Sequence, residues 1–176
     1  IKSSAASDVY KRQKACVAQI TAAYVLGLYL AQVKGAMFRD EIAQALDSLK
    51  DMPRKIQWVL DTQAKTVHDA AAQMVDAKSF LFLGRHVGYP VAMEGALKLK
   101  EIAYTFTEGF AAGELKHGTI SLITDGVPVI ALATQKQVYE KTISNAKETK
   151  SRGARVILFT TKDTVCLLYT SDAADD

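Results

Sequence analysis

Cysteine is scarce: the 176 residues contain two, Cys16 and Cys166. They stand far apart, without CxxC spacing or neighbouring histidines. A disulfide framework is therefore excluded, and a reduced, cytoplasmic protein with incidental thiols is expected. Charge of one sign is also in short supply. A formal net charge of +3 is too small to imply a nucleic-acid partner, and no window clusters Lys and Arg or interleaves them with aromatics. The first residues lack a basic segment running directly into an apolar stretch with a small-residue cleavage site, so no signal peptide is expected. Metal-ligand spacing appears nowhere, and no serine or cysteine sits in a nucleophile elbow. Neither a metal nor a cofactor is expected.

What is present is the composition of an ordinary globular protein, 49% hydrophobic and 23% charged, long enough for one good core and a fraction of another. The stretch from Ala15 to Val33 carries no charge between Lys14 and Lys34, so a membrane span has to be weighed. It includes Gln19, Thr21, Gln32 and several alanines, and nothing else resembles a second span. A buried core or oligomer-interface helix is the expected reading, with no membrane. Residues 1–13 and 167–176 are short, polar or acidic and show neither period, like tails left by adapters, and are set aside. The expected divisions are these two tails, a helical segment 14–50 and a domain over 51–166. A helix starting near Lys14 has no visible cap, which suggests a piece of a longer protein.

Along the chain, Gly35 permits a break, and Arg39 to Leu49 places Ile42, Leu46 and Leu49 on one helical face. Pro53 sits where a first-turn proline belongs, and Ile56, Val59, Leu60 and Val67 continue the helical spacing to about Val75. From Ser79 the pattern changes. Phe80 to Leu83 is a continuous apolar run closed by Gly84, as in a strand buried on both faces. Similar runs are Val127 to Ala133, after the turn Asp125-Gly126, and Ala154 to Phe159, after Arg152-Gly153. Helical patterns fill the intervals, from Val91 onward and from Val138 to Arg152. This alternation predicts an α/β fold: a parallel sheet with helices on both faces, taking ligands at the carboxyl ends of its strands.

Three places can carry chemistry. Glu94, Lys98 and Glu101, at i, i+4 and i+7, fall within roughly 60° of one another on a helix. The other positions are apolar on nearly every side, which predicts a helix packed within a core and a charged stripe facing a polar cavity. An ion-paired surface helix is the plainer reading. The sharper one is acid–base chemistry, with the lysine holding two carboxylates ionised and either Glu94 or Glu101 moving a proton on a bound sugar or keto compound. The loop Gly84-Arg85-His86-Val87-Gly88 leaves the first strand and enters that helix. It is either a structural turn or an anion-favouring approach for a ligand, with Gly84 and Arg85 beside it. His117 lies in a glycine-bounded turn and is either solvent-facing or an acid or base for opening a sugar ring. His68, on a solvated helix face, is expected to be inert.

The stretches GRHVGYPVAMEGALKLKEIAY and EGFAAGELKHGTISLI closely resemble the isomerase part of the glutamine–fructose-6-phosphate aminotransferase (isomerising) family and its sugar-isomerase (SIS) relatives. The likeness spans about residues 14–164. It implies a flavodoxin-like SIS fold, a three-layer αβα arrangement preceded by helices from a truncated first SIS unit. It also implies a nucleotide-free sugar-phosphate site, conversion of fructose 6-phosphate and glutamine to glucosamine 6-phosphate on the way to UDP-N-acetylglucosamine, and a homodimer. By the same resemblance Glu101 is the base that moves a proton between C1 and C2, and Lys98 and Glu94 bind and polarise the sugar. His117 is the ring opener serving the neighbouring subunit's site. The family's glutaminase domain, the phosphate-binding loops of its first unit and its carboxyl-terminal lysine are not found here, so the chain alone is expected to be inactive or nearly so. Two alternatives stay open: an SIS isomerase or deglycase without a glutaminase domain, and a non-enzymatic sugar-phosphate-sensing module.

Overall fold

The computed structural model describes residues 4–161, with side chains from residue 15 onward. Cys166 and the segment 167–176 lie outside the described residues. The chain divides into two compact units, Ile1–Val75 and Asp76–Asp176.

The first unit is helical: α1 Ser4–Val33, α2 Arg39–Lys50 and α3 Met52–Ala72. No glycine or proline interrupts the first turns of α1, and the helix begins at Ser4 rather than near Lys14. It ends at Gly35, whose φ of 65° is open to glycine at little cost. At the start of α2, Glu41 accepts the backbone N–H of Phe38 at 2.7 Å, which satisfies one of the donors a helix start leaves free. Asp51 joins α2 to α3 and receives Arg54 at 2.7 Å and Lys55 at 3.3 Å. Its hydrogen bond from Arg54, above all, holds the Asp51 carboxyl below the usual carboxylate range. Of the two readings expected for this helix, burial in the chain's own core does not hold: Ala15–Val33 is only 6% buried, and it is long and apolar enough to cross a membrane by length and composition. Ile20 and Tyr29 are each about 60% exposed, while Leu28 is buried.

The second unit is a four-stranded, wholly parallel sheet: β1 Ser79–Gly84, β2 Phe106–Ala111, β3 Pro128–Ala133 and β4 Arg155–Thr160, in the order β2-β1-β3-β4. Helix α4, Gly88–Ala103, links β1 to β2, and α5, Tyr139–Lys150, links β3 to β4. Alternation along the strands divides the core into two layers. Phe80, Phe82, Ile130 and Leu132 pack with Ala92, Ala96 and Leu99 of α4. Leu81, Leu83, Val129, Ala131, Val156 and Leu158 pack with Ala146 and Ile143 of α5, and with Ala112 and Leu115 of a 3-10 helix, Ala112–His117, that follows β2. The two helices therefore cover opposite faces, giving the expected αβα sandwich. Gly109 lets α4 come close to β2: a Cβ there would stand 2.8 Å from the Met93 Cα.

β2 has no counterpart in the sequence reading. It is an edge strand with a single neighbour, and Glu108 and Gly109 interrupt the apolar run that marks the interior strands.

Candidate functional site

Ala92, Ala96 and Leu99 turn one side of α4 to the sheet, and at 100° per residue the Glu94–Lys98–Glu101 stripe falls on roughly the opposite side. Lys98 Nζ lies 2.9 Å from Glu101 Oε2 and 3.4 Å from Glu94 Oε1. The side chains of Lys98 and Glu101 are only 20% and 24% exposed, that of Glu94 39%. The hydrogen bond to Glu101, reinforced by the charges of both carboxylates, raises the lysine's pKa above its ordinary value. Lys98 therefore keeps its ammonium charge throughout the neutral range.

The expectation that this helix is covered on nearly every side is corrected. Val91, Met93, Leu97 and Ile102, on either flank of the stripe, are each between 43% and 58% exposed. A helix laid on one face of a sheet buries one stripe of its own surface, and the flanks stay open unless something else covers them. Beside the stripe, Met93, Leu97 and Lys100 of α4 and Thr107 of β2, with Glu94 at one rim, line a groove of about 400 Å³. Thr107 is fully buried and donates its hydroxyl to the Ala96 carbonyl at 2.6 Å, tying the edge strand to the helix.

His117 is placed elsewhere. It ends the 3-10 helix Ala112–His117, whose Ala112 and Leu115 have 0% exposure within the layer covered by α5. Lys116 pairs with Glu148 of α5 at 3.4 Å. The sheet therefore stands between His117 and the α4 stripe of the same chain. His117 is itself exposed. His68, with a side chain 82% exposed, approaches Asp69 at 3.6 Å.

Gly84 and Arg85 close the carboxyl end of β1, where the chain passes to β2 on one side and β3 on the other. This is the switch point at which open parallel sheets form a crevice. His86, at φ 51°, reaches across it, its Nδ1 2.9 Å from Gln135 Oε1 in the loop after β3. Arg85 turns towards α5, donating from Nε at 3.2 Å and from Nη2 at 2.9 Å to Asn145 Oδ1. So the structure brings Glu94, Lys98 and Glu101 together and leaves His117, Gly84 and Arg85 apart from them. Asn145 and Gln135 escaped the sequence reading. Asn145 left a faint signal, since it shares with Thr142, Ala146 and Thr149 the i, i+3, i+4, i+7 face that α5 buries. Gln135 left none. Among the described residues no group of three or more His, Cys, Asp or Glu is arranged to hold a metal ion.

The family described as SIS domain matches residues 73–173, more than half of the chain and the whole of the sheet. The chain belongs to the SIS domain family. Its SIS unit and the helices before it are similar to glutamine–fructose-6-phosphate aminotransferase [isomerizing] of Corynebacterium efficiens, 56% identical over 149 residues, covering 82% of this chain and 24% of that protein. The corresponding protein of Methanosarcina mazei is 47% identical over 139 residues, covering 79% and 22%. Among solved structures, the C-terminal domain of glucosamine-fructose-6-phosphate aminotransferase from Francisella tularensis matches with a TM-score of 0.78 at 34% identity, over 81% of this chain and 40% of that one. The chain thus spans about a quarter of the length of the curated relatives it matches.

Proposed function

We propose that this SIS domain carries out the isomerising half of glucosamine 6-phosphate formation, within a cytoplasmic, homodimeric enzyme that takes fructose 6-phosphate and glutamine. The observation that carries the reading is the half-buried triad on α4, with Lys98 2.9 Å from Glu101 and 3.4 Å from Glu94. Moving a proton from C1 to C2 of a fructose imine requires a carboxylate that is ionised at rest and held still. Lys98 sets a positive charge beside Glu101 and holds it still, its hydrogen bond fixing the carboxylate oxygen at 2.9 Å. Glu101 then takes the proton from C1 and returns it to C2, while Glu94 and Lys98 bind and polarise the sugar oxygens. The loop opened by Gly84 and Arg85 lends its backbone to the substrate side of the switch-point crevice.

His117 is assigned the opening of the sugar ring in the site of a second copy. The position of its 3-10 helix, on the face of the sheet away from α4, supports service to a neighbour rather than to its own Glu101. The similarity to named aminotransferases supports the substrates.

The test is turnover by the longer protein carrying Glu101→Gln. Loss of glucosamine 6-phosphate formation by about 10²- to 10⁴-fold is expected, the usual contribution of a positioned general base. A wild-type rate would remove Glu101 from this role.

A further inference from the structure

A 3-10 helix of six residues has poor hydrogen-bond geometry and little stability of its own, so whatever holds it in place lies outside it. The helix Ala112–His117 is anchored by Ala112 and Leu115, which set its depth but not the direction of its exposed end. The Lys116–Glu148 pair is exposed on the lysine side at 68% and screened by solvent, so it adds little. A third attachment is of a different kind. Arg85, half-buried at the end of β1, directs Nε and Nη2 together onto Oδ1 of Asn145, which is 7% exposed on α5. A guanidinium can only donate, so the amide must present its oxygen, and the fork is fixed in plane by two bonds to one acceptor. Its remaining arm lies against Gly113, the second residue of the 3-10 helix: a Cβ there would sit 3.3 Å from Nη1 and 3.7 Å from Cζ. Among the described residues, no carboxylate pairs with Arg85.

We propose that Arg85 and Asn145 are positioning residues for His117: the guanidinium, clamped by Asn145, bears on Gly113 and sets the direction in which the helix presents its histidine four residues later. Arg85 thus joins three elements, the end of β1, α5 and the 3-10 helix. It acts through the histidine rather than by touching the sugar, because its fork points to the face of the sheet away from Glu101. A side chain at Gly113 would press on the guanidinium and shift it by a few tenths of an ångström. Asn145 suits α5 because an amide accepts the fork without burying a second charge. The proposal rests on the reading of His117 as ring opener, and its test is arranged so that the two can fail separately.

The first measurement does not depend on catalysis. In the chain carrying Asn145→Ala, amide hydrogen exchange at residues 113–118 should quicken at least roughly tenfold, since both charge-assisted hydrogen bonds of the fork are lost, while β1 and β3 stay protected. Asn145→Asp, whose carboxylate can accept the same fork, should restore slow exchange. Unchanged exchange at 113–118 in Asn145→Ala would overturn the proposal, as would equal quickening across β1 and β3. The second is kinetic, in the longer protein. Asn145→Ala should lower kcat on fructose 6-phosphate with little change in KM, and should have no further effect in a His117→Ala background. An equal loss in both backgrounds would mark a general structural role and refute positioning. If His117→Ala alone left turnover untouched, the ring-opening reading would fall, and the clamp would be judged by exchange at 113–118.

Discussion

Gly84→Ala is the substitution whose effect the structure defines most closely. Gly84 is not at positive φ, so alanine meets no conformational penalty and the whole effect is contact. The added Cβ would stand 2.1 Å from the Gly88 carbonyl oxygen, 2.3 Å from its carbon and 2.7 Å from the Tyr89 nitrogen. All three are backbone atoms in the first turn of α4, so no side chain can swing away. Relief requires that turn to retreat from β1 by more than about 1 Å, to reach ordinary van der Waals separation. The retreat would break the bonds from Gly88 N to Arg85 O at 2.8 Å and from Tyr89 N to His86 O at 3.1 Å. Two hydrogen bonds at about 1 kcal/mol each and an overpacking cost of about 1–3 kcal/mol give a loss of about 3–5 kcal/mol. For a unit of this size that lowers the melting temperature on the order of 10 °C or more. Thermal unfolding followed by circular dichroism measures it. A melting temperature within about 2 °C of wild type would refute the reasoning, because it would mean that the strand-to-helix junction yields without cost.

The sheet that separates His117 from the α4 stripe predicts complementation between subunits: mixing longer proteins carrying Glu101→Gln and His117→Ala should restore activity that neither has alone. Equal amounts associating at random leave one intact site in each mixed dimer, about a quarter of the wild-type sites. No recovery after subunit exchange has been demonstrated with tagged copies would argue that each site draws both residues from one chain. Acid unfolding tests the helical unit. Because the folded-state pKa of Asp51 is lowered, chiefly by Arg54, its stabilisation is present above the ordinary carboxylate value and lost as pH falls through the lowered one. The melting temperatures of wild type and Asp51→Asn should therefore differ near neutrality and converge below about pH 4, the ordinary range for aspartate. A gap that stayed constant to low pH would show that the carboxylate's charge is not what stabilises the junction.

Much of the sheet unit could be read directly because three of its strands are continuous apolar runs bounded by turn residues. Phe80 to Leu83, Val127 to Ala133 and Ala154 to Phe159 fall on β1, β3 and β4 within a residue or two. β2 was illegible because Glu108-Gly109 breaks its apolar run and reads as a turn; an edge position alone does not hide a strand, since β4, with β3 as its partner, kept an apolar run. The stripe was legible as a pattern but not in its setting. Apolar residues flanking a charged row, such as Met93 and Ile102, look the same in sequence whether covered or exposed, and only the register of Ala92, Ala96 and Leu99 against the sheet shows which side of α4 is inward. Asn145 and Gln135 were hidden because each acquires its meaning from a partner far along the chain, Arg85 and His86, and no local period encodes such a meeting.

The two faces of the sandwich carry unlike groups. On α4, Glu94, Lys98 and Glu101 are paired and half-buried, an arrangement that keeps the carboxylates in place. Beyond the other face, at the end of a short 3-10 helix, His117 is exposed and free of ion pairs among the described residues. A sugar undergoing ring opening and then proton transfer has to meet both groups within hydrogen-bond reach. Helices on opposite faces of a sheet each stand about 10 Å from it, well beyond that reach. Under the proposed roles, two copies related by a two-fold axis would resolve the difficulty, since one operation would bring the histidine of each to the stripe of the other and make two equivalent sites. The exposed flanks of α4, Val91, Met93, Leu97 and Ile102, are what the proposed site would require: a site completed by other polypeptide leaves around its charged centre an apolar rim for that polypeptide to cover.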